Sequence, residues 1–156
     1  MRLNLPVTDQ EFSIPAGAAL VSCTDLQGRI VHANATFVAV SGYSRDELMG
    51  QPHNLLRHPD MPAEGYRDLW DTIQSGRPWS GVVKNRRKNG DYYWVLAVVS
   101  PLLRDGQPVG YVSVRTVPTR DQVAGASALY ARMHDDEREA RNNKRLRAGE
   151  ELTRGT

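Results

Sequence analysis

The chain has one cysteine, Cys23, so no internal disulfide can form, and a lone thiol suits a reducing compartment. It also lacks any apolar run long enough to cross a bilayer, and its opening MRLNLPVTDQEF has no apolar core of the signal-peptide kind; a cytoplasmic setting is expected. Charge of one sign is not in excess either. Twenty Lys and Arg against eighteen Asp and Glu leave a formal +2, too little to mark a nucleic-acid binder. Catalytic signatures are missing as well: no G-x-S-x-G, P-loop, G-x-G-x-x-G or H-E-x-x-H occurs, and the chain is not expected to be an enzyme. His53 and His58 flank a proline-containing loop with Asp60 beside them, but an irregular loop fixes no coordination geometry and no cysteine completes a soft site. No metal is expected.

What is there suits a soluble domain. Hydrophobic residues make up 40% and charged residues 24% of 156, enough for one core with a terminal extension. Residues 1–17 read as an N-terminal arm that can pack on the domain or extend from it. Residues 18–118 carry the domain, and 119–156 an exit helix followed by a charged tail. Two short strands meet at the Asp25–Gly28 turn. Short helices follow. Asn34 is a helix cap, Gly42 a left-handed stop, and Ser44 with Glu47 a capping box. QPHNLLRHPDMP, with three prolines in twelve residues, cannot be a long regular element. Asp60 is placed to cap the next helix, on which Tyr66, Leu69, Trp70 and Ile73 recur at helical spacing until Gly76.

The second half changes period. Residues 79–88 and 92–103 are strands meeting at Asn89-Gly90, and a second turn at 104–107 leads into a strand over 109–117. Beyond Pro118, Val123, Ala126, Tyr130 and Met133 form a helical seam that can pair two protomers or dock on the core. The order predicts an α+β domain: one antiparallel sheet with helices on one face, enclosing a pocket. Alternation along the first of these three strands puts Trp79, Gly81, Val83 and Asn85 on its more apolar, inward face, with Lys84 and Arg86 on the other. A buried Asn85 needs partners, because an unsatisfied amide costs about 1–3 kcal/mol. Either a backbone group or a ligand with both donor and acceptor can supply them.

The stretches TDLQGRIVHANATFVAVSGYSRDELMGQPHNLLRHPDMP and PWSGVVKNRRKNGDYYWV resemble the N-terminal FAD-binding PAS domain of bacterial aerotaxis receptors. The resemblance implies the PAS fold, a five-stranded antiparallel sheet with short helices on one face and a C-terminal exit helix. It implies non-covalent FAD and sensing of redox, oxygen or energy state. The signal would pass to a HAMP and methyl-accepting chemotaxis signalling region, in cis or in trans, and the chain could be the cytoplasmic part of a membrane-anchored receptor or a homodimer.

Arg57, His58 and Asp60 match the loop positions that the family needs for FAD, with Arg57 suited to the pyrophosphate. The structural alternative is an Arg57–Asp60 pair. Trp79 is similar to a tryptophan of the flavin pocket, Trp70 is a weaker candidate, and Asn34 matches a widespread PAS asparagine. Against the light-sensing LOV branch, Asn85 resembles a flavin-contacting asparagine, whereas His53 stands at the photo-reactive cysteine and Val95 replaces a second ring-contacting asparagine. Arg115 falls where that branch has a glutamine near flavin N5, and a cation there would favour an anionic reduced flavin. Arg115 can equally face solvent. Haem is disfavoured, since residues 63–75 contain no histidine. The main rivals are a cofactor-free PAS dimerisation or interaction module and, without a nicotinamide fingerprint to support it, a flavoenzyme.

Overall fold

The computed structural model describes residues 4–154. Five strands, β1 (Leu20–Thr24), β2 (Ile30–Ala33), β3 (Trp79–Arg86), β4 (Tyr92–Arg104) and β5 (Gln107–Thr116), pair antiparallel in the order β2-β1-β5-β4-β3. Between β2 and β3 the chain crosses from one edge of the sheet to the other. On the way it forms α1 (Ala35–Ser41), α2 (Arg45–Leu48), a 3₁₀ turn (His53–Leu56) and α3 (Ala63–Gln74). The expected architecture is the one observed. Core side chains with no exposure come from both layers, among them Leu20, Ile30, Phe37, Leu48, Tyr93 and Val95.

The two hairpins close differently. At Asp105-Gly106 both residues are left-handed, φ 51° and 76°, giving a two-residue loop whose twist matches the flanking strands. At Asn89-Gly90 Gly90 is left-handed, φ 102°, and Asn89 is not. Instead Asn89 Oδ1 accepts from Asp91 N at 3.0 Å, and Arg87 N donates to Asp91 O across a longer turn. The side chain satisfies the backbone locally, so the residue need not enter the left-handed region.

Asn34 does more than cap α1. Its Oδ1 accepts from Phe37 N at 2.9 Å and from Val21 N at 3.1 Å, and its Nδ2 donates to Ala19 O at 3.0 Å. It therefore ties the first helix to the start of β1. Asn34→Ala is expected to lose about 2 kcal/mol of stability, more than an ordinary cap, because a strand anchor goes with it. Asn34→Asp, which keeps both acceptor bonds, should lose less than half of that. Urea denaturation midpoints at constant m check both.

The arm packs on the domain. Asn4, buried, donates to the carbonyls of Asn54 and Arg57, both at 2.8 Å, and Phe12 N and Tyr92 N exchange main-chain bonds across Gln10 to Phe12. This changes the outer face of β3. Arg86, expected as part of an open surface with Lys84, is only 4% exposed and is held by Tyr43 Oη and main-chain oxygens of Pro6, Arg87 and Lys88.

At the other end, α4 (Arg120–Arg154) runs straight through the segment expected as a tail. Its first half is docked through Val123 and Tyr130, and propagation from an anchored helix adds a hydrogen bond per residue without a new nucleation cost. The seam docks on the core. No helix among the described residues is long and apolar enough to cross a membrane.

Candidate functional site

A cavity of about 180 Å³ lies between the inner face of the sheet and the helical layer. The sheet contributes Val83 and Asn85 from β3, Val99 from β4, and Tyr111, Ser113 and Arg115 from β5. These are alternate residues, so pleating alone puts each set on one face. The helical side contributes His53, Asn54, Arg57, Tyr66, Leu69, Trp70 and Ile73, and the Gln27-Gly28 turn stands at the rim. The lining holds two arginines and no carboxylate.

Three buried polar atoms in this lining have no hydrogen-bond partner: Asn85 Nδ2, Ser113 Oγ and Arg57 Nη2. Native interiors rarely leave such atoms unpaired, and each costs about 1–3 kcal/mol. Arg115 is more demanding. Its guanidinium, 6% exposed, donates to Ser22 Oγ at 3.2 Å and to His53 Nε2 at 2.7 Å, and it faces the Phe37 ring at 5.4 Å. All of these partners are neutral. Burial lowers the Arg115 pKa to about 10, which leaves it cationic near neutral pH. Since a guanidinium cannot accept, His53 must present Nε2 unprotonated and carry its proton on Nδ1. Burial first, and Arg115 second, hold His53 well below the usual imidazole range, so it stays neutral. A buried cation with only neutral partners is an electrostatic debt that an anionic or electron-rich ligand would offset.

Of the predicted site residues, His53, Arg57, Trp70, Asn85 and Arg115 line this cavity. Arg57 spreads over the Tyr66 ring, 3.8 Å from its centroid, with its pKa lowered by burial. No Arg57–Asp60 pair forms. Asp60 turns the other way and meets Lys84 Nζ at 2.7 Å, and Pro62 rather than Asp60 occupies the N-cap of α3. His58 is buried edge-on against Tyr92 and accepts from Asp60 N at Nδ1; burial, aided by the Lys84 charge, holds its pKa at about 4. His58 and Asp60 thus hold the loop while Arg57 faces the cavity.

Trp79 does not line the cavity. Its ring folds over Gly81, where the missing Cβ leaves the space, and its Nε1 donates to Asp68 of α3 at 2.9 Å. Asn34 serves its cap and strand bonds away from the cavity. Residues not anticipated are Ser22, Tyr66, Tyr111 and Ser113. The signal for two of them was present: once Arg115 faces inward, Ser113 and Tyr111 must share its face.

Residues 30–115 match the PAS fold family. Over 149 residues, 96% of the chain, the sequence is 48% identical to the aerotaxis receptor of Escherichia coli strain K12. That stretch is 29% of the receptor, so the chain spans less than a third of that relative's length. The dark structure of the blue-light photoreceptor Aureochrome1 LOV is similar at TM-score 0.62 and 25% identity, covering 76% of this chain and 86% of that one. A structure in which a flavin analogue probes the mechanism of a light-oxygen-voltage domain is similar at TM-score 0.60 and 22% identity, covering 76% and 87%, and shows the fold alone.

Proposed function

The chain belongs to the PAS fold family, and from that premise we propose that it is the flavin-binding redox sensor of an aerotaxis-type receptor. The observation that carries this reading is the cavity lined by Asn85 Nδ2, Ser113 Oγ and Arg57 Nη2, all unpartnered, around the buried cation of Arg115. An isoalloxazine edge offers alternating donors and acceptors of the kind these atoms lack, and its pyrophosphate end offers charge for an arginine. These residues fit the group.

Flavin, when bound, supplies reversible electron transfer. The chain's part is to hold and tune. Asn85 and Ser113 orient the ring through atoms with no internal partner, and Arg115 favours negative charge beside it. His53 fixes the guanidinium while remaining neutral. Arg57 reaches the anionic end, and His58 and Asp60 keep its loop in place. The cofactor is FAD, by the aerotaxis-receptor likeness, and the domain reports oxygen, redox or energy state without turning over a substrate. Its partner is a HAMP and methyl-accepting chemotaxis signalling region, in cis or in trans, on the cytoplasmic side, with homodimerisation as a further mode.

Purified protein is expected to be yellow, with flavin absorption near neutral pH and FAD identified by mass spectrometry of the released chromophore. Arg57→Ala is expected to cut flavin retention at least about tenfold while leaving the fold intact, since it loses a charge-assisted contact worth roughly 1.5–3 kcal/mol. A colourless wild type, reconstituted with neither FAD nor FMN, would leave the cofactor-free interaction module standing.

A further inference from the structure

The N-terminal arm inverts the usual preference of its residues. Leu5 and Val7 stand 62% and 42% exposed, while the polar side chain of Asn4 is only 5% exposed. Hydrophobic docking would bury the first two and leave the amide in water. The amide is inside because of what it meets. Asn4 Nδ2 donates to Asn54 O and to Arg57 O, each at 2.8 Å, which uses both of its protons. These carbonyls belong to the end of the 3₁₀ turn, whose C-cap is Arg57. Carbonyls at such an end lack partners within the helix. Asn54 O also accepts from Arg57 N at 3.1 Å, so one side chain ties both ends of the 54–57 segment.

The arm is itself held fast. Thr8 N donates to Gly90 O at 3.0 Å, Thr8 Oγ1 to Asp91 Oδ1 at 2.6 Å, and Arg86 Nη1 to Pro6 O at 3.3 Å. Asn4 is thereby fixed to the β3–β4 hairpin through contacts independent of the turn. The Arg57 main chain also forms an antiparallel bridge with Asn85 of β3. His53, Asn54 and Arg57, all in the cavity lining, lie on this one clamped segment. The clamp bears on Arg57 above all. Its guanidinium rests on the Tyr66 ring, 3.8 Å from the centroid, with Nη2 unpaired. A ring face sets the plane of a guanidinium and leaves its reach to the main chain.

We propose that Asn4 is a positioning residue of the ligand site, setting Arg57 at the anionic end of the ligand. It thereby gives the cavity a preference for a flavin that carries phosphate over one that does not. The proposal rests on the flavin reading above and adds to it the arm, which stands outside the cavity lining. A cap that served only the fold would affect every ligand of the cavity alike. One that acts through Arg57 affects only those with an anionic end.

FAD and riboflavin, which share the ring and differ at the phosphate end, separate the two. In fluorescence titrations of the full chain stripped of flavin, Asn4→Ala is expected to weaken FAD by about threefold to tenfold. Riboflavin should weaken by less than about twofold. In an Arg57→Ala background the same substitution should change FAD affinity by less than about twofold, because the group it positions is gone. Without flavin, hydrogen–deuterium exchange over residues 54–58 should rise about threefold to tenfold in Asn4→Ala as the bond from Arg57 N to Asn54 O loosens, with β1 and β5 unchanged. Equal losses for the two flavins, full additivity with Arg57→Ala, unaltered FAD affinity, or faster exchange throughout the sheet overturns the proposal while the flavin reading stands. A wild type that takes up neither flavin sinks that reading, and the proposal with it.

Discussion

Asn85→Leu is expected to leave the flavin-free protein as stable as wild type, or about 1 kcal/mol more so, while removing most of its flavin. The two effects have one origin. At 4% exposure the carboxamide is desolvated with Nδ2 unpartnered, and the Tyr93 hydroxyl across the strand pair, itself without a partner within hydrogen-bond distance, compensates it only in part. Leucine has nearly the same shape and no such penalty, and it packs beside Val83 and Val95, neighbours on the inner face. The ligand, however, loses a paired donor in a dry site. An unfilled hydrogen-bond requirement there corresponds to about tenfold to a hundredfold in affinity. Urea denaturation of stripped protein and the flavin-to-protein absorbance ratio after reconstitution report the two halves separately. A variant clearly destabilised without flavin would show that Asn85 is satisfied inside the protein, and the cavity would lose its main argument.

Arg115→Met should leave the fold intact and lower the flavin reduction potential. The guanidinium stands among Ser22, His53 and Phe37 without a carboxylate, so a methionine of similar length removes a desolvation cost and no ion pair. Electron gain by a flavin, in contrast, loses a nearby positive charge worth about 1.4–3 kcal/mol at an effective protein dielectric. For a one-electron step that converts to a fall of about 60–130 mV. Arg115→Lys keeps the charge and should recover more than half of the shift. Loss of Arg115 also removes the second cause that depresses His53, whose pKa should rise towards the usual imidazole range. Spectroelectrochemical titration decides the matter: an unchanged potential in Arg115→Met would mean that the guanidinium does not face the reacting ring.

Both variants act on residues of different legibility. Asn85 could be found from alternation, because a polar residue in an apolar row is visible wherever strands have period two. Arg115 sits at the end of a strand whose pattern did not say which face is inward, and only β5 placed between β1 and β4 turns it into the interior. Asp60 illustrates the converse error. Nearness in sequence suggested Arg57 as its partner, and the pairing it makes is with Lys84, on a strand across the fold. Trp79 stays on the inward strand face that parity gives it and packs against the core there, yet its indole lies along the sheet over Gly81 and reaches Asp68 instead of the cavity.

The sequence by itself determined the order of elements, the caps at Asn34 and Ser44, the positions of the turns and the sheet's inner face along β3. Those depend on interactions within a few residues, where spacing is geometry. Tertiary structure alone decided that Arg115 is a buried cation, that His58 and Asp60 brace the loop, that Trp79 turns from the cavity, and that α4 closes on Asp60 and Glu64. Each of these rests on partners distant along the chain, whose meeting is set by how the layers pack and by nothing local to the residues concerned.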